Sequence, residues 1–563
     1  MPRREVVSRS EYDIRPSFLY ALSLAGMAIC IVSSWGYEVQ YVPLGTPFGL
    51  FGLLPMGYWI GILFLVISLA IGLRTGTESV FFVQSLLLFL ALWCAPAMFE
   101  KYPTVWDSYV HYDASLAIVR EGIVPNTAAY NYAYNYPGFF VLGASFALLG
   151  DPPALLFLRL YPIFSATLTV AAIYLFARTY VPRMDHRLAF LFAAFANVWL
   201  QFNYSPQSMG LVAGLLIFVC LEREGREWLY AALMLFAFIV VSHPTTLIFV
   251  LGAIAIKEVF NRILYFTIGL RRPTRWERPW PVGVFILIWL GWFFTGASSF
   301  SLNLVQFISN RLFMLGQVQE SVSEQWAMRG TSENILGVLY PQLRTGMLGV
   351  FLALTLLALL IYLLSRNRRH VNFPRNILAL FLLPLGIIPL DMAFFNGQLY
   401  DRGILYLALV APMIFVPILI TNRRKVVRAG LSVAISLVVV AAASTIFYQE
   451  ALYINNDRAV DVADFLAGNA PHTIVGGGFY PVDVWDDAGE QFDRIKISAL
   501  YNMSIGNIAG FYGGGTILFD DTTEMWYRQW GTIGMYDFYR DQAPYNYRVY
   551  DNGGAWVMYI RGV

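Results

Sequence analysis

The chain has 563 residues, 58% hydrophobic and 13% charged, with a formal net charge of +2 and a mean hydropathy of +0.57. Soluble domains are nearer a quarter charged, so this composition excludes one and indicates a polytopic membrane protein; the net charge says little about partners, and no nucleic acid is expected among them. Its cysteines, Cys30, Cys94 and Cys220, all fall in apolar runs, which excludes a disulfide framework or a CxxC metal site and leaves them as small buried hydrophobes.

Met1-Pro2-Arg3-Arg4 is basic, but no short apolar region with a small-residue cleavage site follows. The first apolar run is therefore expected to be a retained helix. Runs suited to crossing about 30 Å of hydrocarbon fall near 17–35, 50–73, 79–98, 155–177, 187–203, 207–221, 228–242, 244–258, 281–297, 346–365, 376–394, 403–420 and 429–447. The expected fold is a polytopic α-helical membrane protein of about 13 spans. Arg and Lys clusters at 3–15, 74, 178–187, 223–226, 257–278, 366–369 and 423–428 all share one side if the N-terminus is cytoplasmic. That holds when Tyr136-Pro137-Gly138 through Gly150, about 14 residues, lies in the interface without crossing.

This orientation, with the chain in a plasma membrane, puts three regions outside the cytoplasm: loop one (99–154), a long loop (298–345) and the tail 448–563. The tail loses the long apolar runs and gains Gly, Asp and Tyr. Thr473-Ile474-Val475 and the turn Asp551-Asn552-Gly553-Gly554 predict short strands and loops. The expected organisation is a transmembrane domain, 1–447, and a small α/β or β-rich domain, 448–563.

Loop one carries Trp106-Asp107-Ser108-Tyr109-Val110-His111-Tyr112-Asp113, then Arg120-Glu121-Gly122. Acidic residues and a histidine are costly beside hydrocarbon, so their clustering suggests a working site at the interface. A helix is expected here, with Asp107 and His111 as an i, i+4 pair and Gly122 as its stop. Equally, Asp107 could cap that helix while the tyrosines form an aromatic belt. In the second outer loop, Gln207 could bond sugar hydroxyls, or simply follow Pro206 in a first helical turn. His243 precedes Pro244 at a helix boundary, where a structural role or a contact to a lipid carrier would fit.

Asp107-x-Tyr109-x-His111, with Ala114, Ile118 and Gly122, resembles the first external loop of GT-C membrane glycosyltransferases, which use polyprenyl-phosphate sugar donors. Asn135-Tyr136-Pro137-Gly138 and Arg159-Leu160-Tyr161-Pro162 are similar to that superfamily too. The resemblance implies that Asp107 is the essential acidic residue, a general base or a metal ligand. Ser321-Val322-Ser323-Glu324 looks like the oligosaccharyltransferase Ser-Val-Ser-Glu motif, whose Glu touches the metal and acceptor region. Arg402-Gly403-Ile404-Leu405 through Ala411-Pro412 resembles a helix start whose Arg binds the carrier phosphate; an anchor paired with Asp401 is the other reading. The chain departs from that family in having three spans before loop one. It also lacks the Trp-Trp-Asp-Tyr-Gly peptide motif, the nearest string being Trp485-Asp486-Asp487-Ala488-Gly489, the candidate acceptor-binding segment.

The expectation is sugar transfer from a polyprenyl-(pyro)phosphate carrier to a protein, glycan or lipid by inverting displacement, without a nucleotide. Asp107 and Glu324 would be catalytic, and would bind Mg²⁺ or Mn²⁺ if the chain works as oligosaccharyltransferases do. Arg402, His111, Tyr109, Gln207 and His243 would bind substrate. Expected partners are the lipid-linked donor, membrane lipids and the acceptor. A catalytically inactive subunit of a membrane or cell-surface complex is the alternative. A secondary transporter fits poorly, since the spans are nearly charge-free apart from Asp391.

Overall fold

The structure, a computed structural model, describes residues 15–43, 45–103, 105–126, 131–150, 152–181, 185–268, 280–313, 335–364, 375–394, 399–420, 454–469, 473–475, 493–495, 515–521, 524–525, 528, 547–553 and 555–560. Its helices begin with α1 Pro16–Ser34, α2 Met56–Thr75, α3 Glu78–Trp93, α4 Ala95–Phe99, α5 Trp106–Glu121, α6 Asn131–Asn135, α7 Gly138–Gly150, α8 Ala154–Tyr180 and α9 Asp185–Phe195. They continue with α10 Pro206–Leu221, α11 Arg226–Ser242, α12 Pro244–Ile268, α13 Trp280–Thr295, α14 Ser298–Phe313, α15 Ile335–Leu364, α16 Arg375–Phe394, α17 Tyr400–Phe415 and α18 Asp457–Asn469.

Among the described residues, five helices are long and apolar enough to cross a membrane, or six if α13 and α14, bent by 93°, form one broken span. Thirteen full-length spans are not confirmed. Helices α3, α7 and α10 are shorter apolar pieces, and the run 429–447 lies outside the described residues. Helix α7 has 13 residues, about 20 Å at 1.5 Å per residue, too short for a crossing.

Three expected boundaries move for identifiable reasons. The run 187–203 is helical only as far as Phe195. Beyond it the Asn197 side chain donates to Leu405 O (3.1 Å) and accepts Trp199 N–H (3.2 Å), a local turn that competes with helix. Pro55 separates a 3₁₀ turn, Gly49–Leu53, from α2, so that span starts later than expected. The long loop 298–345 is helical at both ends, in α14 and the start of α15.

Apolar burial drives helix association weakly in lipid, so polar contacts and close packing carry much of the specificity. Ser23 and Ser68 share a hydrogen bond of 2.7 Å, and Gln84 Nε2 donates to the Ser68 hydroxyl (2.8 Å) and carbonyl (2.9 Å), joining α1, α2 and α3. At the bundle end near residue 78, the Glu78 carboxylate accepts from the Tyr174 hydroxyl and lies 2.9 Å from His186 Nε2. It also takes a bidentate contact from Arg187 at 2.8 and 3.2 Å. Helices α10 and α17 run through the centre with nearly every residue buried.

The C-terminal part carries a five-stranded sheet in the order β2-β1-β3-β5-β4. Its strands are β1 Thr473–Val475, β2 Asp493–Ile495, β3 Gly515–Asp520, β4 Tyr547–Asp551 and β5 Ala555–Ile560. Strand β1 pairs in parallel with β2 and β3; β5 pairs antiparallel with β3 and β4. The expected turn joins β4 to β5, with Gly553 at φ +87° and its N–H on Asp551 Oδ1 at 2.8 Å. Helix α18 lies against the sheet through Phe465 stacked on Tyr550, ring centroids 4.6 Å apart.

Candidate active site

Helix α5 runs from Trp106 to Glu121 and stops at Gly122, which takes the left-handed conformation, φ +72°, that favours glycine. The stop falls where the sequence puts it; the start reaches back to include Asp107. Asp107 and His111 share one face, and the Asp107 charge acts on the His111 imidazole. Enclosure of that ring by apolar groups lowers its pKa, against the opposing pull of Asp107. Its ring meets Phe140 of α7 at 5.6 Å between centroids and Tyr132 of α6 at 6.2 Å. Neither the Asp107 carboxylate nor the His111 ring hydrogen-bonds another described side chain.

The starts of α12 and α17 join this pair electrostatically, and α10 packs on the start of α12. His243 ends α11 and does the work of an N-cap for α12: its Nδ1 accepts Thr246 N–H at 3.2 Å and lies 2.7 Å from the Thr246 hydroxyl. An Nδ1 that accepts holds no proton, so Nε2 carries it and the ring is neutral. Enclosure, Arg402 and His111 all act on that ring against its charged form. Arg402 sits in the first turn of α17 and is felt by both His243 and Tyr132. The positive ends of α12 and α17 add to its charge. Helix α10 comes in close because residue 210 is glycine: a Cβ there would stand 2.8 Å from Thr246 Oγ1. Gln207 is buried on α10, one turn before Gly210 and on the same face.

The structure thus brings Asp107, His111, His243 and Arg402 into one electrostatic cluster, while Gln207 is buried on α10. Tyr109 is not part of it. Its buried side chain turns away and donates to Pro103 O at 2.7 Å. Glu324 and the segment Trp485, Asp486 and Asp487 lie outside the described residues. Asp113 is ion-paired with Arg120 at 3.2 Å. Arg159, from the Arg-Leu-Tyr-Pro string, donates to Ala97 O at 2.9 Å and Met98 O at 3.4 Å, satisfying carbonyls at the end of α4.

Sequence reasoning missed Tyr132, whose ring packs on His111 and whose hydroxyl is sensitive to both Arg402 and Asp107. The only signal was the run Tyr130-Asn131-Tyr132-Ala133-Tyr134-Asn135-Tyr136, dense in aromatics without saying which face each takes. Asn135 was read only as part of a motif. Its Oδ1 accepts from the Ser299 hydroxyl (2.8 Å) and Phe300 N–H (3.2 Å), and its carbonyl accepts Trp292 Nε1–H (3.1 Å), tying α6 to the α13–α14 bend. The expected metal pair is described only at Asp107, since Glu324 lies outside the described residues. Among them no three His, Cys, Asp or Glu side chains come together, and Arg402, a permanent cation, shares the cluster with Asp107.

No family model and no curated protein matches the chain. Among solved structures it is similar to ArnT from Cupriavidus metallidurans bound to undecaprenyl phosphate, with 12% identity and a TM-score of 0.38, covering 86% of this chain and 98% of that one. It is also similar to apo ArnT from the same organism, with 14% identity, a TM-score of 0.37, and coverage of 85% and 97%.

Proposed function

We propose that this chain is a membrane glycosyltransferase that takes a sugar from a polyprenyl-phosphate carrier and passes it to a protein, glycan or lipid by a single inverting displacement. The observation that carries the reading is that a carboxylate, Asp107, and a phosphate-suited cation, Arg402, both act on the Tyr132 hydroxyl and each on one of two enclosed histidines, His111 and His243. The sequence resemblance at Asp107, His111 and Arg402 to GT-C enzymes points the same way. Charge bias in the loops supports an N-terminus in the cytoplasm and a site on the opposite face of a plasma membrane. The change in composition supports a separate small domain from residue 448 onward.

In this mechanism the acceptor oxygen attacks the anomeric carbon as the bond from that carbon to the phosphate oxygen breaks. The acceptor proton passes to Asp107. The electron pair leaves on the carrier phosphate, where Arg402 and the start of α17 meet the added charge. His111 and His243 leave that charge to Arg402 and offer N–H donors to the phosphate or sugar. A positioned base of this kind contributes about 10²–10⁴ in rate.

Purified protein in detergent, given a short-chain prenyl-phosphate sugar and a set of hydroxyl acceptors, tests the reading. Wild type should release prenyl phosphate and form product of inverted anomeric configuration, and Asp107→Ala should lose transfer while keeping its melting transition. No turnover by wild type on any donor, or near-normal turnover by Asp107→Ala, would sink it; the first outcome would favour an inactive subunit.

A further inference from the structure

Helix α5 begins without a capping side chain: Val105 holds the N-cap position and offers no polar group. The first turn is fixed from outside the helix instead. Tyr109 Oη donates to Pro103 O at 2.7 Å, closing the stretch 103–109, and Asp107 lies inside that closed stretch. The same carbonyl accepts a second hydrogen bond, at 2.8 Å, from Asn455 Nδ2, which also reaches Tyr109 Oη at 3.4 Å. Both lone pairs of the Pro103 carbonyl are thereby used. Asn455 stands just before α18, at the start of the C-terminal part, more than three hundred residues away along the chain.

A second contact holds this brace in place. Asp457, the first residue of α18, accepts from Lys101 Nζ, from Tyr102 Oη at 2.8 Å and from Gln40 Nε2 at 3.2 Å. Its own N–H donates back to Gln40 Oε1 at 3.3 Å. The segment 101–103 leading into α5 is thus gripped at successive residues by the residues that open the C-terminal part.

We infer that Asn455 is a positioning residue: by bracing the Pro103 carbonyl and Tyr109 it fixes the first turn of α5 and so the direction in which Asp107 points. The inference rests on the role proposed for Asp107, but its structural half can be measured without any substrate. Small displacements of a reacting group are amplified in rate, about 10²-fold for 1 Å. A loosened first turn should therefore lower kcat more than it alters the donor KM.

The test uses the full chain in detergent with Asn455→Ala, Asn455→Asp and Tyr109→Phe. Asp keeps the shape of Asn but cannot donate to a carbonyl. Hydrogen exchange at the first-turn amides of α5 should rise roughly fivefold in Asn455→Ala and Asn455→Asp, as expected for one lost hydrogen bond, while α18 and the sheet keep wild-type protection. With the prenyl-phosphate sugar, kcat should fall roughly tenfold at nearly constant donor KM. Asn455→Gln, which still donates, should recover part of that loss. Because Asn455 and Tyr109 share Pro103 O, the Asn455→Ala, Tyr109→Phe double variant should lose less than the product of the single losses. Asn469→Ala, at the far end of α18, should change nothing.

Wild-type exchange at α5 in both Asn455 variants overturns the inference, as does raised exchange with kcat unchanged. Raised exchange in a protein whose wild type turns over no prenyl-phosphate sugar keeps the brace and removes the transferase reading instead.

Discussion

The two carboxylates that matter most in this molecule, Glu78 and Asp107, are treated in opposite ways. Glu78 is fully engaged: a tyrosine hydroxyl, a histidine and a forked arginine converge on it from α8 and α9. His186 and Arg187 are themselves buried, so each group supplies what the others need. Asp107 makes no hydrogen bond to another described side chain, and its charge acts on the His111 imidazole and, together with that of Arg402, on the Tyr132 hydroxyl. Charges kept for structure have their valences filled by protein. In the proposed reading, a charge kept for chemistry, Asp107, leaves a side open for something that is not protein. That difference, more than the presence of acidic residues, separates a joint from a site.

The comparison can be broken at either carboxylate. Asp107→Asn should reduce sugar transfer by about 10³-fold with no shift in the melting transition; an equal loss in Glu78→Gln would erase the distinction. Arg402→Lys should cost about 10²-fold in kcat/KM, since lysine cannot offer the planar fork, read by titrating the donor. Glu78→Gln should instead lower stability by about 2 kcal/mol by leaving Arg187 without its anion, seen by thermal unfolding, with turnover per folded molecule retained. His243→Ala should cost about 1 kcal/mol through the lost cap on α12, whereas His243→Asn, which can still accept Thr246 N–H, should unfold near wild type. The smallest effect concerns Asp457, whose pKa is lowered by hydrogen bonds from Lys101 and Tyr102. A lowered folded value means its stabilisation is present above the ordinary value of about 3.9 and fades as pH falls through the folded one. The difference in melting temperature between wild type and Asp457→Asn should therefore be modest near pH 7, as the pair is half exposed, and vanish at strongly acid pH.

Local signals served where one residue type has one physical use. Gly122 ends α5 and Gly553 turns β4 into β5, both with positive φ, and apolar runs locate α1, α8, α13 and α16 to within a few residues. Loop one holds together Asp107 and His111 by helical spacing alone. Long-range pairings left no trace in the sequence. Nothing near Asn197 announces that its amide will bond Leu405 O and end α9, and nothing near Asn455 announces Pro103. Tyrosine was the least legible residue: Tyr109 and Tyr132 look equivalent in a string, yet one braces the backbone and the other walls the site. Which face of a helix an aromatic takes is decided by partners on other segments, Pro103 for Tyr109 and His111 for Tyr132.

Helix α7 has one more consequence. Its inner side carries Phe140 against His111, while its outer side leaves Val141, Leu142, Phe146, Leu148 and Leu149 exposed, Leu149 at 87%. Such a surface is unstable in water and at rest only where acyl chains begin. In the proposed reading α7 floats at that boundary, and the His111 ring of α5, packed on its Phe140, is held at the same depth. A phosphate anchored in lipid would then meet Asp107 at that height.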